Sequence, residues 1–359
     1  MTLLKKSITA LACAFVLSSS YCFANASEHN KSAWSYMAPL TEPSKGIGAR
    51  PAGSKAEKKA AKWLVDQWQE QGYTARVLPF KYELEGRKYK SQNIQVDIKG
   101  NSDQVIVIGA HYDSTGEEHG SLGAADNASG VAAILALSNQ IKGQSLPYSV
   151  RLIAFGAEEV GLQGAKAYIA NQIKDRSKVI AMINLDTIIG GDNLYVHSAH
   201  TTPYDCEGIP KSRYNAKPHI RDELKAISTA LFGSEGHQLH PAYEGYPEGV
   251  TGSWSDHSPF ACAGVPIAYL EATNFAINGH SGNDGYSQTE KSQLWDCYDS
   301  ENKTACDRNK EQSWGMIWHT QFDRLDTLQP VMPGRLEQQL NKNVDVLKQF
   351  VLTADKYIP

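Results

Sequence analysis

The sequence predicts an α/β fold: a three-layer α/β/α sandwich around a mostly parallel, mixed central sheet, with a metal site at the carboxyl ends of the strands. Three observations predict it. Short apolar runs at residues 105–110 (VIVIGA), 149–155 (SVRLIAF) and 178–186 (KVIAMINLD) read as buried strands. Helical segments at 130–141 and 160–172 alternate with them, as when parallel strands are joined by helices that cover both faces of a sheet. Each run ends on metal-competent side chains: His111 and Asp113, then Glu158 and Glu159, then Asp186. In open α/β sheets, ligands bind in the crevice beyond those strand ends.

Taken in order, residues 1–26 read as a secretory signal peptide. Lys5-Lys6 precede an apolar run at 8–17, and Ala24-Asn25-Ala26 supplies a small-x-small cleavage site. The run is too short for a stable membrane span. Export to a periplasm, or else secretion, is therefore expected. Residues 27–359 are then expected to form a single domain with a polar excursion at about 274–315. Residues 27–50 are mixed, a helix and a loop. Residues 56–71 (AEKKAAKWLVDQWQEQ) are apolar at helical spacing and stop at Gly72. Residues 73–82 and 91–98 read as strands, with Gly100-Asn101 as a turn before the 105–110 strand.

Beyond Asp186 the pattern loosens. An edge strand is expected at 194–197 and a helix at 222–231. Residues 237–252, with Pro241, Pro247 and several glycines, read as a loop. A short helix at 258–263, a further strand at 265–271 and a closing helix at 333–355 complete the chain.

A chain of 359 residues, 41% apolar and 21% charged, suits a globular protein with a full core. The net charge of −4, with basic residues scattered, argues against nucleic acid and anionic membrane as partners. Of the six cysteines, Cys13 and Cys22 fall in the signal segment. Cys206, Cys262, Cys297 and Cys306 remain, and four cysteines in an oxidising compartment allow three pairings. Cys297 with Cys306, which closes a short polar loop, is the favoured pair, leaving Cys206 with Cys262.

A lone strand-end Asp or His is usually a cap or a solvated rim residue. Several converging in one sheet are a different matter. Asp126 opens the helix after the first strand, and His319 follows a polar loop far downstream. Histidine and carboxylate from several loops, without thiolate, suit catalytic zinc with an open position. Two histidines and three carboxylates exceed the needs of one tetrahedral zinc and fit a pair that shares a bridging carboxylate. Two such metals, roughly 3.5–4 Å apart, can clamp a carbonyl and a hydroxide together. Of the adjacent Glu158 and Glu159, one can be a ligand while the other takes the proton from water. Ser255-Asp256-His257 cannot be a nucleophilic triad, because consecutive side chains do not converge as that chain of groups must.

Six motifs carry a family resemblance. HYD (111–113), AADNASG (124–130), FGAEEVGLQGA (155–165), INLD (183–186), SDHSPF (255–260) and HTQFDRLDTL (319–328) resemble, in that order, the co-catalytic di-zinc aminopeptidases. That clan shares its fold with glutaminyl cyclase and glutamate carboxypeptidase. INLDTIIGGDNLY (183–195), EATNF (271–275) and the stretch 313–337 are similar to its alkaline phosphatase isozyme conversion branch, which trims N-terminal arginine.

The resemblance implies two Zn2+ per chain. His111 and Asp186 would hold one, Glu159 and His319 the other, with Asp126 bridging. Glu158 would be the general base, and Asp113 would orient His111 by accepting its second ring N–H. The implied partner is a peptide or protein with a free N-terminus, Arg or Lys included among the residues removed. A glutaminyl cyclase-like acyltransferase with a single zinc, and a non-catalytic binding ectodomain, are the alternatives on the same scaffold. Ser255-Asp256-His257 would support the site wall. His119, His197, His200, His219, His237, His240 and His280 are expected to be surface or structural, as packing is the simpler reading of Tyr246, Trp254 and Tyr286.

Overall fold

The computed structural model describes residues 31–44, 46–172, 176–279 and 281–358. The signal segment at 1–26 and His280 lie outside the described residues. Eight strands form one sheet: β1 (Arg76–Leu84), β2 (Arg87–Ile98), β3 (Ser102–His111), β4 (Tyr148–Phe155), β5 (Val179–Leu185), β6 (Asn193–Ala199), β7 (Val250–Thr251) and β8 (Ile267–Thr273). Their order is β1-β2-β4-β3-β5-β8-β6-β7. The centre, β4-β3-β5-β8, is parallel, and so is β6 with β7; β1 with β2, β2 with β4, and β6 with β8 are antiparallel. The sheet is mixed, as expected.

Alternation along the central strands sends side chains into two separate cores. Ile106, Ile108, Leu152 and Ile183 enter one, with helices α2 (Lys55–Glu70), α3 (Ser129–Gln140) and α8 (Arg335–Thr353). Val107, Ile153 and Met182 enter the other, with residues of α4 (Gln163–Asn171) and α6 (His257–Cys262). Both faces are thus covered, and the layers number three. Two further helices, α5 (His219–Phe232) and α7 (Leu325–Val331), together with the short α1 (Met37–Thr41), complete the helical set.

Local chemistry sets the boundaries. The side chain of Ser54 caps α2 by accepting the Glu57 N–H at 3.0 Å, and Glu57 in turn accepts the Gly53 N–H at 2.6 Å, a reciprocal cap. Tyr73 does not begin a strand: its N–H closes the end of α2 on Trp68 O at 2.8 Å, so β1 starts at Arg76. β2 starts earlier than the sequence suggests, because Glu85 and Gly86, both at positive φ, turn β1 straight into it as a two-residue hairpin. α4 starts later, at Gln163, because Ala157 and Leu162 at positive φ make residues 157–162 a tight turn. β6 is not an edge strand: Val250 and Thr251 pair alongside Ser198 and Ala199.

The polar excursion after β8 is folded. A hairpin of β9 (Tyr298–Asp299) and β10 (Thr304–Ala305) is closed by the Cys297–Cys306 disulfide and packs with Ile277 and Trp295. The other disulfide, Cys206–Cys262, ties the loop after β6 to the end of α6.

Candidate metal centre

Three strand ends and two long-range loops meet at one point. His111 closes β3, almost wholly buried. Its Nε2 lies 3.2 Å from Asp126 Oδ1, 3.3 Å from Asp186 Oδ1 and 3.9 Å from Glu158 Oε2. His319 approaches from the other side, its Nε2 3.2 Å from Asp126 Oδ2 and 2.7 Å from Glu159 Oε2. Asp126 therefore offers one oxygen to each imidazole. All seven residues singled out from the sequence come together here.

Asp113 acts differently from the expectation. The nearest acceptor for His111 Nδ1 is the Asp113 main-chain oxygen, at 3.2 Å, with the carboxylate 3.7 Å away. The carboxylate itself accepts the N–H groups of Glu158 and Glu159, at 3.0 and 3.1 Å. It thereby fixes the turn that presents both glutamates.

The electrostatics are those of crowded, buried carboxylates. Burial raises the pKa of Glu158 far above the usual range; His111 opposes this, while Asp256 and Asp186 add to it. Burial likewise raises Glu159, with Asp126 adding, and pushes Asp113 up to about 7. For Asp126, burial raises the pKa, but hydrogen bonds from His111 and His319 outweigh it and hold the carboxyl below its ordinary range. Burial lowers His319, yet Asp126 and Glu159 carry it up to about 11. One Glu159 oxygen, Oε1, is buried with no hydrogen-bond partner. Excess negative charge, an orphaned oxygen and two imidazoles sharing one carboxylate are what a divalent cation site requires.

The pattern of peptidase family M28 matches residues 93–343. The chain belongs to peptidase family M28. It is a peptide hydrolase, which sets aside the non-catalytic ectodomain. The chain is 26% identical, over 324 residues, to the alkaline phosphatase isozyme conversion protein of Escherichia coli, covering 84% of this chain and 85% of that one. A zinc aminopeptidase from Bacillus subtilis superposes with a TM-score of 0.61 at 17% identity, over 90% of this chain and 94% of its own. A Porphyromonas gingivalis glutaminyl cyclase gives a TM-score of 0.61 at 17% identity, over 90% and 97%. These two likenesses show the fold.

In this M28 peptidase several further residues position the cluster. Fully buried Arg50 donates to the carbonyls of Tyr112 (2.7 Å), Gly48 (3.0 Å), Leu122 (3.0 Å) and Gly123 (2.9 Å), binding the loop between His111 and Asp126. Gly123 is required there, since its φ is +63° and a Cβ would sit 2.5 Å from the Arg50 guanidinium. Asp323 Oδ1 accepts the Ala125 N–H at 2.5 Å and its Oδ2 the Ser121 hydroxyl at 3.0 Å. Asn127 donates to Leu185 O at 2.7 Å, tying Asp126 to the end of β5. Ser255 donates to Asp186 Oδ2 at 2.7 Å, so the SDH stretch does support the site wall. Gln288 Oε1 accepts the N–H groups of Ile317 (2.8 Å) and Trp318 (3.0 Å), just ahead of His319.

Of these, Asn127, Ser255 and Asp323 lie in motifs the sequence singled out, whereas Arg50 ends a stretch read as a helix and a loop. Gln288 carries no local signal.

The cluster opens into a cleft of about 750 Å³. Tyr246, Trp254 and Tyr286 do line it, the last two as exposed aromatics. His197, His237 and His240 are buried, His200 is half-buried and His119 is exposed.

Proposed function

We propose that this M28 peptidase is an exported zinc aminopeptidase that removes N-terminal residues, basic ones among them, from peptides or proteins. The observation that carries this reading is Asp126, with one oxygen facing His111 and the other facing His319, each at 3.2 Å. His111 and Asp186 would hold one zinc, His319 and Glu159 the other, with Asp126 between them. Zinc so held supplies a Lewis acid for the scissile carbonyl and lowers the pKa of water.

The remaining chemistry belongs to the chain. Glu158, buried and fixed by Asp113 through its main-chain N–H, accepts the proton of the attacking water and returns it to the leaving amine nitrogen. A carboxylate within reach of the attacking water can both take and give a proton. The free α-amine of the substrate is drawn to the surplus of carboxylates at the head of the cleft. Export rests on the sequence of residues 1–26 and on the two disulfides. Among the described residues, no helix is long and apolar enough to cross a membrane.

A panel of aminoacyl fluorogenic substrates tests this reading on the zinc-loaded protein. Cleavage that a chelator abolishes and zinc restores is the expected result. An enzyme that resists chelation and succumbs to serine reagents would overturn it. A glutaminyl cyclase-like acyltransferase, whose fold superposes equally well, is the second reading on this scaffold. It predicts pyroglutamate from Gln-initiated peptides and one bound metal, where the aminopeptidase releases the first residue and binds two.

A further inference from the structure

We propose that Glu271 selects substrates whose first residue carries a cationic side chain. The inference rests on the aminopeptidase reading and assigns a residue to its specificity. β8 alternates: Leu270 and Ala272 are buried in the body of the protein, while Tyr269, Glu271 and Thr273 line the cleft that also contains Asp126, Glu158, Glu159 and Asp186. A residue whose amine sits at the cluster therefore lays its side chain along the β8 floor.

Glu271 is built to receive a charge there. The Tyr269 hydroxyl donates to its Oε2 at 3.1 Å, and His197 Nε2 lies 2.7 Å from its Oε1. His197 is itself fixed in the interior against Tyr195, His240 and Phe275. The Glu271 side chain is only 16% exposed, so its carboxylate is held in one place and largely stripped of water. A carboxylate in that state binds a cation more strongly than one in bulk solvent.

The rest of the cleft agrees. Away from the cluster, its described lining has three carboxylates, Glu244, Glu271 and Asp284, against one lysine, Lys166. Asp284 is engaged with the N–H groups of Ser281 and Tyr286, and Glu244 is exposed, so Glu271 is the fixed charge at depth. Tyr243, Phe275 and Tyr286 give aromatic walls, against which a guanidinium stacks. An uncharged side chain would strip water from Glu271 without replacing it.

The test compares Arg-, Lys-, Leu- and Glu-aminomethylcoumarin on zinc-loaded wild type, Glu271→Gln, Glu271→Asp and Glu244→Gln. Wild type is expected to favour Arg and Lys over Leu. Glu271→Gln should lower kcat/KM for Arg and Lys roughly 10- to 100-fold, mainly through KM, since a hydrogen bond to a charged group is lost. Leu turnover should persist in that variant, which also shows that it folds. Glu271→Asp should restore part of the preference, and Glu244→Gln should leave it intact. The affinity of free L-argininamide, measured against L-leucinamide as competing ligands, should fall in parallel.

An Arg-to-Leu ratio unchanged in Glu271→Gln, or a uniform loss across all four substrates, overturns the assignment. A wild-type protein that cleaves none of the four overturns the aminopeptidase reading itself.

Discussion

The carboxylate of Asp113 accepts the main-chain N–H of Glu158 at 3.0 Å, so one buried aspartate sets where the proposed base stands. Its other oxygen does the same for Glu159. Asparagine has only one acceptor oxygen and would turn an NH2 towards the second N–H. Asp113→Asn is expected to lower kcat by about two orders of magnitude, the scale of a misplacement near 1 Å. Zinc affinity should weaken as well, since the same turn presents Glu159. Full activity in the variant would show that the turn is fixed by something else.

Glu158→Gln keeps the volume and removes the base. Turnover should fall by roughly 10²- to 10⁴-fold, the usual worth of general acid–base catalysis. Metal analysis should still find zinc, because the remaining donors are untouched. Retained peptidase activity would remove Glu158 from the mechanism.

Zinc uptake should release protons. In the metal-free cluster Asp126 and Glu159 push His319 up to about 11, and the surrounding carboxylates raise His111 as well. A metal binds only the neutral imidazole, so affinity must strengthen as pH rises and weaken as it falls. Calorimetric zinc titrations in buffers of different ionisation enthalpy should show buffer-dependent heats. Heats identical in all buffers would contradict this.

Gln288 should matter to metal binding although it touches none of the candidate ligands. It holds the N–H groups of Ile317 and Trp318, while its own Nε2 donates to Ala272 O at 3.1 Å. Gln288→Ala is expected to weaken zinc affinity about 10- to 100-fold, as loss of an outer support does. The circular dichroism spectrum should be unaltered. An undiminished affinity would mean that His319 is positioned without Gln288.

Stability in acid should depend on two histidines outside the cluster. Burial lowers both His237 and His257 from 6.5 to about 4. Between those values the unfolded chain binds more protons than the folded one. Their contribution is therefore complete above about 6.5 and is lost as pH falls towards about 4. His237 is held between Ser228 and Asn343, at 2.9 and 3.1 Å, and His237→Gln can keep contacts of that kind. The variant should show a shallower fall in Tm across that window. An equally steep fall would assign the acid sensitivity elsewhere.

The central strands were legible because parallel strands buried on both faces must be apolar throughout, and their ends must then be where polar residues begin. That logic brought His111, Glu158, Glu159 and Asp186 together without any knowledge of contacts. The supports were not legible in the same way. Arg50 reaches carbonyls 62 to 73 residues away, and Asp323 reaches the Ala125 N–H across 198. Sequence period says nothing about a side chain that bonds to distant main chain. β6 reads as an edge strand because its partner β7 is two residues long, too short to show alternation. The hairpin at Glu85-Gly86 carries no clear signal, because its first residue is not the Asn or Asp that marks such turns.

Arg50 has a companion effect at the chain's beginning. Ala33, Tyr36, Met37 and Leu40 are buried in the main core, and Arg50 fastens the segment behind them to the loop between His111 and Asp126. An enzyme that acts on amino ends, as proposed for this one, would have copies of its own chain among its substrates. Here Ala33, Tyr36, Met37 and Leu40 lie in the core, where such an enzyme in another copy would not reach them. The same arm that steadies the metal centre thus makes the folded enzyme a poor meal for its own kind.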